Sequence, residues 1–250
     1  FYKYSLSTQT WSALPESPAP MAGGSAMRNV NGTLYILRGA NTNAFWKYDI
    51  AKSSWKIPTV GLFGTAFRGT DYRTFGYGAQ IVKGDSNYYY LTRGNYDNLF
   101  VRYDATTGES VQMAQVPSGF YSGSSITYDN NANKIYAVGS QYDQNFYVYD
   151  IATDTWSTLD QDPLPITSST GSSLEYDGSR YMYWIRGGGT TTFYRYDTQA
   201  SAGSRWSSAL TSVPGGLNYG AHLVYNGGYI YTLRGGNIAN NPFYRYSVSG

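Results

Sequence analysis

The sequence predicts an all-β protein, a single β-propeller with five four-stranded blades as its simplest closure. Two observations carry this. A four-residue aromatic string recurs six times, its final tyrosines 44 to 55 residues apart, and each interval repeats one succession of tight turns and glycine-ended strands. Four short strands in a period of roughly 50 residues are the signature of a propeller blade. No stretch combines helical periodicity with capping residues.

The elements follow in a constant order. The first strand of each unit, strand a, opens after a glycine: Gly24, Gly78, Gly123, Gly171 and Gly220. A tight turn then forms at Asn31-Gly32, Gly84-Asp85, Asp129-Asn130, Asp177-Gly178 and Asn226-Gly227, residue types that tolerate the positive φ of hairpin turns. Strand b ends in Arg-Gly at Arg38-Gly39, Arg93-Gly94, Arg186-Gly187 and Arg234-Gly235, with a degenerate copy at Gly139-Ser140. Strand c is the aromatic string: Phe1–Tyr4, Phe45–Tyr48, Phe100–Tyr103, Phe146–Tyr149, Phe193–Tyr196 and Phe243–Tyr246. Strand d carries Trp11, Trp55, Trp156 and Trp206, with Val111 in the unit that lacks a tryptophan.

Alternation assigns the faces. Met27, Ile81, Ile126, Leu174 and Leu223 share one apolar position on strand a, and their neighbours form a mixed, partly polar face. Period-two geometry places those neighbours on the side opposite the apolar set, here the central channel. The rings of strands c and d are expected to fill the wide wedges between blades, where burial contributes about 25 cal/mol per Å². That accounts for 28 tyrosines in 250 residues without invoking function.

The glycine pairs Gly187-Gly188 and Gly235-Gly236, the strand c tyrosine and the tryptophan about seven residues on give the chain its family likeness. It resembles the kelch-type β-propeller over essentially its whole length. The resemblance implies the fold and leaves the activity open, because one scaffold hosts many functions.

The termini pose a counting problem. Six c strings accompany five a–b pairs. Residues 1–250 are expected to form one domain in which the c–d strands of 1–14 splice with the a–b–c blade of 215–248. Phe1–Ser5 and Phe243–Ser247 then compete for one slot. Three readings stay open: a repeat remnant at the start, six-bladed closure with an incomplete blade, or strand exchange between copies through Phe1, Tyr2, Tyr4, Phe243, Tyr244 and Tyr246. A start at Phe1 reads as a processed product or a piece of a longer chain.

Composition bounds the function. The net charge is +2 with no Lys/Arg block, so no nucleic-acid partner is expected. No apolar run approaches the roughly 18 residues of a membrane span. Cysteine is absent, which removes disulfides, thiolate metal sites and the Cys-linked tyrosine cofactor of kelch-like oxidases. No metal or cofactor is expected. Low charge with abundant Tyr, Gly, Ser, Thr and Asn leans toward an extracellular or cell-surface setting.

Three sets of residues are candidates. Arg28, Gln80, Glu175 and His222, the single histidine, share the predicted channel, where a Glu beside a His suggests an acid/base pair and a polar lining is the plainer account. Paired carboxylates for glycoside hydrolysis are not evident. The loops from d to a differ most between units and hold Phe67, Arg68, Tyr72, Arg73, Phe75 and Tyr77 in one copy, and Phe120, Tyr121 and Tyr219 in others. Variable aromatic loops suit sugar or protein contacts. The arginines ending strand b could hold an anion or bridge blades through carbonyls, and the cations inside strand c (Lys3, Lys47, Arg102, Arg195, Arg245) are expected to be solvated. The reading that follows is a non-enzymatic scaffold acting by binding or self-assembly. A glycan- or protein-binding propeller and a polysaccharide-active enzyme are the alternatives.

Overall fold

The computed structural model describes residues 1–57, 74–236 and 243–249, and among them every regular element is a β-strand. The molecule is a five-bladed propeller with an additional N-terminal hairpin, β1 (Tyr2–Ser5) and β2 (Thr10–Ala13). Blade 1 holds β3 (Ala26–Val30), β4 (Thr33–Leu37), β5 (Phe45–Asp49) and β6 (Ser54–Lys56). Blade 2 holds β7 (Gln80–Lys83), β8 (Tyr88–Thr92), β9 (Phe100–Asp104) and β10 (Ser110–Gln112). Blade 3 holds β11 (Ser125–Asp129), β12 (Lys134–Val138), β13 (Phe146–Asp150) and β14 (Thr155–Thr158). In blade 4, β15 (Ser173–Tyr176), β16 (Tyr181–Ile185) and β17 (Phe193–Asp197) are followed by an outer strand reduced to the bridge between Tyr196 and Trp206. Blade 5 comprises β18 (His222–Asn226), β19 (Tyr229–Leu233) and β20 (Phe243–Ser247).

All pairings are antiparallel, and the register repeats from blade to blade: Ala26 faces Leu37, Gln80 faces Thr92, Ser125 faces Val138, Ser173 faces Ile185 and His222 faces Leu233. The turn chemistry works as expected in blade 1, where Asn31 and Gly32 take φ of 47° and 80°. Two consecutive positive φ values match the right-handed twist of the strands they join.

The core lies between blades. Each phenylalanine opening strand c packs on the tyrosine closing strand c of the next blade. The ring centroids are 5.2 Å apart for Phe45–Tyr103, 4.9 Å for Phe100–Tyr149, 5.0 Å for Phe146–Tyr196 and 5.1 Å for Phe193–Tyr246. Where the next blade has a tryptophan, the same ring meets it too, at 5.1 Å for Phe100–Trp156 and 5.3 Å for Phe146–Trp206. All but the tilted Phe146–Trp206 pair are edge-on, a favoured aromatic geometry.

The termini depart from the expected splice. Strand β2 pairs with β1 and shares no sheet with β20, so residues 1–14 do not complete the blade of 215–248. Phe243 packs on Tyr4 at 4.9 Å and Trp11 at 6.0 Å, while Phe1 packs on Tyr48 at 5.2 Å and Trp55 at 5.1 Å. The two terminal strings therefore take successive places in one aromatic circuit instead of competing for one. The hairpin stands between blade 5 and blade 1, in the place of strands c and d. Repeat counting assigns strands to blades, but ring contacts decide which neighbour each strand meets.

Candidate functional site

The channel residues turn out to join blades. Ser125 Oγ accepts the Leu174 N–H at 2.9 Å and Thr127 Oγ1 accepts the Tyr176 N–H at 3.1 Å, both from blade 3 to blade 4. One blade on, Ser173 Oγ accepts the Leu223 N–H at 3.0 Å and Glu175 Oε1 accepts the Tyr225 N–H at 3.2 Å. Ser125, Thr127 and Ser173 are buried, so this face is an interblade seam more than a wet lining. Each bond satisfies a buried backbone donor that strand pairing leaves free.

Glu175 also accepts from Arg28 Nη2 at 3.4 Å, linking blade 4 to blade 1. Burial raises the Glu175 pKa, and the Arg28 cation with the Tyr225 N–H opposes that rise. His222 Nδ1 lies 3.2 Å from Ser173 Oγ. Burial, with the Arg28 cation second, pulls its pKa down to about 3, which leaves the ring neutral at pH 7. Of the four channel candidates, Arg28 and Glu175 meet directly and His222 lies in the field of Arg28. No hydrogen bond among the described residues joins Gln80 to them. The predicted Glu–His acid/base pair is not formed, since Glu175 bonds Arg28 and a backbone amide while His222 bonds a serine.

The repeated cations have structural partners. The Nε of Arg38, Arg93, Arg186 and Arg234 donates to the carbonyls of Pro20, Thr74, Thr167 and Gly216 at 2.7 to 3.1 Å. Strand c cations lie over tyrosines of the neighbouring strand b: Lys47 over Tyr35, Arg102 over Tyr88, Arg195 over Tyr181 and Arg245 over Tyr229, at 4.2 to 5.0 Å. The expectation of free solvation is corrected, because their stems run along ring surface that the sheet presents beside them.

The loop face divides the ligand candidates. Phe67, Arg68, Tyr72 and Arg73 lie outside the described residues. Phe120 is fully buried in the core between blades 2 and 3, so it is no surface contact, and Phe75 is buried as well. Both rings turn inward because their backbones are tied to a b–c loop: Asp97 bridges Phe120 and Thr42 bridges Phe75. Tyr77 and Tyr219 are exposed and Tyr121 is half-buried. Sequence reasoning missed two rings beside them. Tyr96 and Tyr142 sit in the b–c loops at φ 59° and 69°, exposed by 66% and 76%. Tyr96 stacks on Tyr121 at 4.0 Å and 9°, and Tyr77 meets Tyr121 edge-on at 5.7 Å. The loop beneath is held firmly. Tyr96 N–H donates to the Phe120 carbonyl at 2.8 Å, and Asp97 accepts from Arg93 at 2.6 Å and from the Leu99 N–H at 2.7 Å. The available signal was positional: Tyr96 and Tyr142 stand two residues past the end of strand b, where blade 4 has Gly189 and blade 1 has Asn41.

The assembly candidates are engaged within the chain. Tyr2 and Tyr4 belong to β1, which pairs with β2 along its length, and Phe1 is packed on blade 1. Phe243, Tyr244 and Tyr246 pair with β19. Neither terminal string is a loose donor strand.

Among solved structures the chain is similar to YjhT, with a TM-score of 0.63 and 17% identity, covering 89% of this chain and 75% of that one. At that identity the likeness shows the fold alone. No family model and no curated protein matches the chain.

Proposed function

We propose that this chain is a non-enzymatic binding scaffold of an exported or surface-displayed protein, and that it takes carbohydrate on the face built by the b–c and d–a loops. Tyr96 and Tyr142 carry the reading. A left-handed backbone costs a bulky residue about 1–2 kcal/mol per position, and such strain persists where the side chain has a task outside the core. An exposed tyrosine braced by a stacked neighbour offers the flat apolar surface against which the C–H face of a sugar sits. The bonds already made by Glu175 and His222 support the non-enzymatic half. The low charge and the Tyr, Gly, Ser, Thr and Asn content support the exported setting. The repeat is read as kelch-type on the shared register of glycine pair, tyrosine and tryptophan.

Affinity electrophoresis through a panel of polysaccharides tests this. The intact chain should be retarded by at least one, and Tyr96→Gly should lose the retardation while melting no lower than the parent. Absence of retardation on every polysaccharide, or unchanged retardation of a Tyr96→Gly, Tyr142→Gly double variant, would refute the reading. Turnover of a polysaccharide that disappears in Glu175→Gln would replace it with an enzyme. Self-assembly is the second reading, favoured by apolar positions exposed beside the N-terminal hairpin whose equivalents elsewhere are buried.

A further inference from the structure

The propeller has six places and five of them hold a strand a and a strand b. The aromatic circuit runs through six phenylalanine–tyrosine contacts, and β1 and β2 fill the outer half of the sixth place. Its inner half is open, and four independent features mark both of its walls. Met27 of blade 1 is exposed by 44%, whereas Ile81, Ile126, Leu174 and Leu223 at the same position are exposed by 2% or less. On the facing wall, Leu233 of blade 5 is exposed by 37%, whereas Leu37, Val138 and Ile185 are fully buried.

The strand-opening glycines tell the same story. A Cβ on Gly24, Gly78, Gly123 or Gly171 would meet the carbonyl oxygen of Gly76, Tyr121, Ser169 or Asn218 in the loop entering the next blade, but one on Gly220 would meet nothing among the described residues. The tryptophan anchors agree. Nε1 of Trp55, Trp156 and Trp206 donates to the carbonyls of Pro15, Ala114 and Asp162, which follow strand d of the preceding unit. Trp11 has no such acceptor among the described residues and is 51% exposed. Finally, a cavity of about 180 Å³ lies between the hairpin and blade 5, against Tyr4, Leu6, Tyr231 and Phe243.

Every missing neighbour belongs to one stretch of the repeat. Strand d would pair with the outer edge of β20 and supply the Trp11 acceptor. Strand a would face Met27, Leu233 and Gly220, and strand b would pair with the inner edge of β1. In repeat order these are consecutive. We infer that the open sixth place is an acceptor for a polypeptide segment carrying strands d, a and b of this same repeat, seated by edge pairing and by insertion of its strand a between Met27 and Leu233. Strands d, a and b with their connections take up most of one repeat period, which gives the segment a length of roughly 40 residues. Strand-edge pairing fixes its direction, and the alternation of strand a fixes which face it buries.

The inference rests on the assembly reading and is independent of carbohydrate binding. The probe is a labelled peptide of residues 152–188 of this chain, which contains β14, β15 and β16. Fluorescence anisotropy should record saturable one-to-one binding to the full chain. Binding should weaken at least tenfold in Leu233→Arg and in Met27→Glu, both at exposed positions, and stay unchanged in Val111→Glu, at an exposed position on blade 2. Thermal melts confirm that each variant is folded. Equal binding of a scrambled peptide, or binding indifferent to Leu233→Arg and Met27→Glu, overturns the inference. Light scattering of the chain alone separates the two failures. No peptide binding by a monomeric chain defeats both the occupant and the assembly reading. No peptide binding by a chain whose large species revert to monomers in Leu233→Arg defeats the d–a–b occupant and leaves assembly standing.

Discussion

Phe146 and Phe243 occupy the same place in the repeat, and replacing each with alanine should cost very different amounts. Phe146 is fully buried, with ring centroids of Tyr196, Trp206 and Tyr136 at 5.0, 5.3 and 5.7 Å. Truncation there removes the transfer free energy of the ring and leaves an enclosed cavity, so Phe146→Ala should lose about 3–5 kcal/mol. For a chain of this size that lowers Tm by roughly 6–20 °C. Phe243 meets Tyr4 and Trp11 at 4.9 and 6.0 Å and Tyr231 at 5.5 Å, yet it stays partly exposed because its wedge opens toward the incomplete sixth place. Solvent fills the space left behind, the cavity term falls away, and Phe243→Ala should cost about 1–2 kcal/mol. Urea unfolding followed by tryptophan fluorescence and by circular dichroism measures both, provided the two probes give coincident transitions. Losses equal within error would mean that Phe243 is as enclosed as Phe146, and the account of an open place between blade 5 and blade 1 would be wrong.

Three more expectations follow from the same contacts. His222 is held neutral with its pKa near 3, so between pH 6.5 and 3 the unfolded chain binds a proton that the folded one does not. Stability from this group is complete above pH 6.5 and falls as pH drops, by about 1.4 kcal/mol per pH unit, and His222→Gln should flatten the slope between pH 6.5 and 5. An unchanged slope would show that the histidine titrates alike in the folded and unfolded chain. Gly78→Ala and Gly220→Ala both place alanine at strongly positive φ, 87° and 76°, but only the first drives a Cβ into a backbone carbonyl. Gly220→Ala should lose about 1 kcal/mol and Gly78→Ala at least about 2 kcal/mol more, and urea midpoints that coincide would refute the steric difference. Tyr96→Gly should melt up to a few degrees higher than the parent, because it relieves a left-handed tyrosine, and a lower melting temperature would mean that stacking on Tyr121 outweighs the strain.

How much was legible can be argued residue by residue. The strings ending in Tyr149 and Tyr196, with Trp156 and Trp206 behind them, name the blade core outright, because aromatic content and period-two alternation are local properties of the chain. The arginines closing strand b were legible as carbonyl-bound ties for a similar reason: four copies of one residue at one position answer to one recurring carbonyl in the loop that enters the same blade. Phe120 and Tyr121 show the limit. They are adjacent in the same loop, yet one is buried between blades and the other supports the Tyr96 ring, a choice made by the bridge between Asp97 and Phe120. Tyr96 and Tyr142 were passed over because nothing local announces a positive φ at a tyrosine. The turn is held by hydrogen bonds to the neighbouring loop, from the Tyr96 N–H to the Phe120 carbonyl and from the Tyr142 N–H to the Ser168 carbonyl.

The sequence by itself determined the repeat, the four-strand order within it, the residues that fill the wedges and the absence of thiol chemistry. All of these depend on side-chain type and spacing along the chain. Only the tertiary structure decided how the ends meet, what Glu175 and His222 bond to, and which tyrosines stand on the surface. Those outcomes depend on contacts between residues some 20 or more positions apart. Strings as alike as Phe1–Tyr4 and Phe243–Tyr246, which differ only by Lys3 against Arg245, acquire different surroundings from the neighbours the ring brings to them.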